Sequence, residues 1–142
     1  MKHVKKRSGP GLAVLLDQGE FDNIHPTNKR VVGERLYECA LDTVYHEPAQ
    51  LSPFAIGKCQ RDGKLIIALS APVVDCGKGD YLLEIAGTDH VFHPADVTLE
   101  EQQLVLSSPD VPRPAAVRYA WLDYAHVRLF GENGLPLAPF AL

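Results

Sequence analysis

The sequence predicts a mostly β chain, in which a short α/β segment precedes a C-terminal antiparallel β-sandwich. Three observations predict it. A continuous apolar run at residues 11–16 leads through a polar loop into a stretch with helical spacing. The pattern changes character at Pro48. Beyond Pro48, short apolar or alternating runs are separated at regular intervals by Gly, Pro, Asn and Asp, as in β-sandwiches.

Residues 11–16, Gly-Leu-Ala-Val-Leu-Leu, are apolar throughout rather than alternating. A strand buried on both faces of a parallel sheet reads this way. A polar loop follows over 17–28, then a helix over 29–46, where Val32, Leu36, Cys39, Ala40 and Thr43 fall on one face. Thr27 or Asn28 caps the helix and Pro48 ends it. One strand with one helix leaves both strand edges unpaired, so this unit reads as one step of a larger α/β sheet whose other strands are not in the sequence. The 11–16 strand is then expected to pair with the sandwich, to self-associate with a second copy, or to stay loose. The chain divides into residues 1–48 and 49–142.

In the second part, strands are expected at 54–59 and 65–70 around the hairpin signal Asp62-Gly63. Others follow at 81–86, 91–92, 97–99, 104–107, 116–122 and 127–130. Along 116–122, Val117, Tyr119 and Trp121 alternate with smaller or charged residues, giving one bulky face.

Composition narrows the function classes. The 142 residues are 46% hydrophobic and 23% charged, the balance of a folded chain. A net charge of -4 gives no global attraction to nucleic acid or to an anionic membrane. The basic run from Lys2 to Arg7 reads as a solvated end. Residues 11–16 are too few for a signal-peptide core, and Asp17, Glu20 and Asp22 follow at once, so no export signal is read. Cys39, Cys59 and Cys76 form no C-x-x-C pair, which argues against a disulfide framework or a zinc site. Buried thiols are expected, with a Cys59–Cys76 bridge as the alternative.

The chemistry-bearing segment is Asp17-Gln-Gly-Glu-Phe-Asp22-Asn-Ile-His25-Pro26. In open parallel sheets ligands sit beyond the C-terminal ends of strands, where this loop belongs. A carboxylate three residues before a histidine can hold its Nδ1–H and leave Nε2 as a general base. A bare Asp-x-x-His is more often a turn with a surface histidine. Elsewhere, His90 and His93 lack a third ligand for a metal. Lys78 and Asp80 lack the spacing of a phosphate loop. Tyr119, Trp121 and Tyr124 read first as core and second as a sugar-stacking platform. No metal or cofactor is expected.

The run Ile24-His-Pro-Thr-Asn-Lys-Arg-Val-Val-Gly-Glu-Arg-Leu36 resembles the last catalytic block of the SGNH/GDSL hydrolases, and most closely that of the sialate O-acetylesterase group. Two distant blocks, Val117-Arg-Tyr-Ala-Trp121 and Asn133-Gly-Leu-Pro-Leu-Ala-Pro-Phe140, are similar to the group's C-terminal segments, and residues 83–86 with 92–96 resemble another of its stretches. The resemblance runs in matching order over residues 11–142. It implies that residues 1–48 end an SGNH-type parallel α/β domain and that the sandwich is accessory. It implies a Ser-His-Asp carbohydrate esterase acting on O-acetylated glycans such as sialic acid, periplasmic or secreted as a full-length enzyme. His25 matches the catalytic histidine, Asp22 stands at the aspartate position, and Asp17 is the reserve. The family's serine and oxyanion blocks are missing: Ser8, Ser52, Ser70, Ser107 and Ser108 stand in no such context. The chain alone is therefore expected to be inactive. The alternative is a non-catalytic glycan-binding or structural module.

Overall fold

The computed structural model describes residues 11–142. The basic run from Lys2 to Arg7 lies outside the described residues. The fold is mostly β, with one helical segment ahead of antiparallel sheets.

The strand expected at 11–16 does not form. Residues 11–15 pair with no strand, and Leu16 opens a turn closed by Gln18 N–H donating to the Leu15 carbonyl (3.0 Å). A strand without a neighbour has nowhere to place its amides. The segment lies instead against the helix. Arg35 donates to the Val14 carbonyl, Val14 is buried, and a Cβ on Gly11 would stand 2.6 Å from Cys39 Cβ.

The helix α1 spans Lys29–Ala40 and continues as a π-helical turn over Leu41–Tyr45. Asn28 caps it, its side chain accepting from Val31 N–H (3.5 Å). His46 (φ 58°) closes it in the left-handed region two residues before Pro48. Of the expected apolar face only Cys39 is buried, and Leu36 is 55% exposed. Leu12, Phe21, Ile24, Tyr37, Val44 and Tyr45 are exposed too. This unit therefore presents apolar surface that nothing among the described residues covers.

Four strands make the first sheet: β1 (Ala55–Arg61), β2 (Lys64–Leu69), β6 (Asp96–Glu100) and β7 (Gln103–Ser107), in the order β1-β2-β7-β6. The β1–β2 turn is Asp62-Gly63, both left-handed (φ 51° and 73°), as the sequence signal requires. The second sheet runs β10-β8-β4-β5, with β4 (Leu83–Ala86), β5 (Phe92–Pro94), β8 (Ala116–Tyr119) and β10 (Phe140–Ala141). β3 (Val73–Asp75) pairs with β9 (Leu129–Gly131). Leu65, Ile67, Leu69, Leu104 and Leu106 from the first sheet share one buried cluster with Ile85, Val117, Tyr119 and Leu129. That common core makes the sheets layers of one body.

Two strands are shorter than expected for the same reason. The expected 116–122 strand ends at Tyr119 because Ala120 turns left-handed (φ 51°), and the expected 81–86 strand begins only after left-handed Leu82 (φ 52°). The bulky face is thus cut: Val117 and Tyr119 are core, and Trp121 is 58% exposed. Tyr119 packs against Phe140 (centroids 5.6 Å apart), and burial pushes its hydroxyl pKa up.

Asp75 joins the small sheet to the segment that leads into β4. It accepts two hydrogen bonds from Arg128 (2.8 Å each), one from the Tyr81 hydroxyl (2.6 Å) and one from Gly77 N–H (2.7 Å). The Arg128 guanidinium lies 4.3 Å from the Tyr81 ring centroid. The Arg128 hydrogen bonds first, then that from Tyr81, hold the Asp75 carboxyl well below its ordinary pKa. A depressed carboxylate stabilises the fold at pH values above the unfolded pKa of about 3.9, and that stabilisation is lost as pH falls toward the folded value. Asp75→Asn should therefore flatten the fall in Tm between pH 4 and 2, measured by thermal melts across that range; an unchanged slope would exclude the linkage.

Candidate functional site

The loop from residue 17 to residue 28 is held at three points. Asp17 is paired with Arg35 of α1 through both carboxylate oxygens, with Nη2 to Oδ2 at 2.7 Å, and accepts from Gln18 (2.9 Å). Burial raises the Asp17 pKa, but the Arg35 and Gln18 hydrogen bonds outweigh it and leave it lowered. Second, Glu20 spans the loop. One oxygen accepts from Thr27 N–H (2.9 Å) and the Thr27 hydroxyl (2.8 Å), the other from Asn23 (3.0 Å). These bonds, that from the Thr27 backbone first, lower the Glu20 pKa. Third, the Phe21 ring meets Tyr124 edge-on (5.5 Å), and Tyr124 meets His126 (5.0 Å). Gly19 abuts Tyr124, and a cavity of about 300 Å³ separates Asp17 and Gly19 from Cys76, Lys78 and His126.

His25 stands at the tip. Its backbone N–H donates to Asn23 Oδ1 (2.9 Å), a local turn that fixes the backbone while the side chain stays exposed. Asp22 is exposed as well, and no hydrogen bond joins its carboxylate to His25 among the described residues. The loop's three carboxylates differ: Asp17 holds the helix, Glu20 holds the loop, and Asp22 has no such engagement.

Sequence reasoning singles out Tyr124 as core or sugar platform, but gives no site role to Glu20, Phe21 or His126 and no contact between Phe21 and Tyr124. Spacing offers no signal for a carboxylate seven residues from its partner, or for rings about 100 residues apart.

The other candidates separate. Exposed His90 sits in a left-handed turn (φ 57°), and His93 in β5 lies 3.8 Å from Asp110. Among the described residues no group of three His, Cys, Asp or Glu is placed to hold a metal ion. No disulfide joins the thiols; Cys39 is buried as expected, but Cys59 and Cys76 are exposed, on an edge strand and in a glycine-flanked loop. No helix among the described residues is long and apolar enough to cross a membrane.

Comparison with protein-family models gave no match, and comparison with curated proteins gave none. Among solved structures, the chain is similar to a carbohydrate acetylesterase from Xanthomonas citri, at 33% sequence identity and a TM-score of 0.77 over 89% of this chain and 31% of that one. The chain thus spans under a third of the length of the enzyme it matches.

Proposed function

We propose that the chain is the C-terminal part of a carbohydrate O-acetylesterase of the SGNH type, cleaving O-acetyl esters of sialic acid or a related glycan. The observation that carries the reading is the extent of the likeness. Coverage of 89% exceeds what residues 49–142, two thirds of the chain, could supply, so it takes in much of the loop-helix unit together with the β layers. That enzyme is a carbohydrate acetylesterase.

In this reading His25 Nε2 takes the proton from a serine hydroxyl as its oxygen attacks the acetyl carbonyl. The same proton then passes to the departing sugar oxygen, leaving an acetyl-serine that water hydrolyses by the same relay. Asp22 turns to accept Nδ1–H and holds the tautomer; its lack of other engagements supports that role over Asp17. The serine and the oxyanion donors come from another stretch of polypeptide, which also supplies the neighbours that segment 11–16 lacks; a second copy pairing there is the other way to satisfy it.

The chain by itself should therefore turn over p-nitrophenyl acetate no faster than its His25→Ala variant. A faster, His25-dependent rate would show that one of its own residues serves as nucleophile and would overturn this division of labour.

A further inference from the structure

We propose that the groove beside Trp121 is a carbohydrate subsite that stacks a β-configured pyranose ring. The choice of carbohydrate rests on the esterase reading; the groove rests on its own geometry.

Leu82 and Ala120 face each other at the ends of β4 and β8, with Ala120 N–H donating to the Leu82 carbonyl (3.0 Å). Both are left-handed (φ 52° and 51°), and neither is of a type that adopts this conformation readily. Such strain persists where surrounding structure enforces it, and it clusters at binding sites. Its effect here is to end both strands and turn Trp121 and Leu122 outward, each 58% exposed, instead of continuing the buried face that Val117 and Tyr119 begin.

The groove so formed, of about 380 Å³, has Trp121, Tyr81 and Pro94 as apolar walls and the Glu84–Arg118 pair as its polar element. That pair is bidentate (2.6 and 3.2 Å) and about 30% exposed on each side. Arg118 also lies over the Phe92 ring at 4.3 Å, which fixes its plane. No hydrogen bond uses Arg118 Nη1 among the described residues. Apolar walls with a few fixed donors and acceptors are what a small-molecule site requires. An all-equatorial pyranose presents axial C–H groups to an aromatic face and hydroxyls at its rim, where Nη1 and the outer carboxylate lone pairs of Glu84 can take them. On the far side of Trp121 and Leu122 a second groove of about 430 Å³ is closed by Leu16, one residue before Asp17. A glycan crossing this rib is directed toward the loop that carries His25.

Trp121 is the single tryptophan of the chain, so its emission reports on this rib and the two grooves that flank it. Titrating the full chain with cellotetraose should shift and quench that emission saturably, while osmolarity-matched mannitol, which has no ring face, should not. Leu122→Ala and Arg118→Lys keep the reporter and should raise the midpoint about tenfold. Leu122 is exposed, so its truncation does not test folding. His25→Ala should bind as the parent chain does. Absence of saturation with cellotetraose and with its O-acetylated form overturns the proposal. So does an emission shift produced by raising protein concentration alone, which would mean a second copy covers the groove. Because the readout is binding, an inactive esterase leaves this result standing, and an empty groove leaves the esterase reading standing.

Discussion

Replacing His25 with alanine should lower kcat by about 10⁴-fold in a chimera that joins residues 11–142 of this chain to the remaining two thirds of the Xanthomonas citri enzyme. The chimera supplies the parts that the proposed mechanism takes from elsewhere, so acetyl release from p-nitrophenyl acetate reads the acid–base half directly. The loss arises because the serine proton then has no acceptor, while binding and oxyanion stabilisation persist. Asp22→Asn should follow with a smaller fall in kcat at unchanged KM, since it alters the tautomer and not the substrate contacts. Asp17→Asn should act differently, loosening the loop from Arg35 and lowering Tm along with activity. A folded chimera that keeps its kcat without the imidazole would remove His25 from the reaction.

The second large effect concerns stability. Gly79 has φ 85°, and a Cβ there would stand 2.3 Å from the His126 carbonyl oxygen, which accepts from Asp80 N–H. Gly79→Ala must adopt a left-handed alanine at about 1–2 kcal/mol and also push the backbone of residue 126 away from Asp80, costing about another 1 kcal/mol or more. Gly77 is the internal control: its φ is 72°, but nothing lies within 4 Å of its Cβ position. Gly77→Ala should therefore show the conformational cost alone. Paired thermal melts should place Gly79→Ala several degrees below Gly77→Ala. Equal melting temperatures would mean that the 79–126 contact relaxes freely.

What the sequence revealed depended on how local the physics was. The Asp62-Gly63 hairpin was legible because a tight turn dictates its own residues, and the 29–46 helix because periodicity and the cap are local. β3 and β10 have three and two residues, too few to leave a period, and they were missed. Strand 11–16 was read from a real apolar run, but a run cannot say whether its neighbours are present. Leu82 and Ala120 carry no residue-type signal for a positive φ, so the exposure of Trp121 was hidden. In the loop, His25 and Asp22 were visible through the spacing and the resemblance. Glu20 and the Phe21–Tyr124 contact depend on tertiary proximity and were not. The structural likeness to a carbohydrate acetylesterase agrees with the carbohydrate-esterase expectation at that level of class.

The bonds that Glu20 makes to Thr27 and Asn23, with the clamp of Asp17 on Arg35, lie wholly within this chain. On the proposed reading, in which the serine comes from another stretch of polypeptide, the histidine loop is already shaped before the two meet, so little conformational entropy is left to lose. If the proposed division of labour holds, such an arrangement suits a split enzyme, expressed as two pieces and switched on by bringing them together. Fused to a pair of interacting proteins, the halves would turn association into acetyl release.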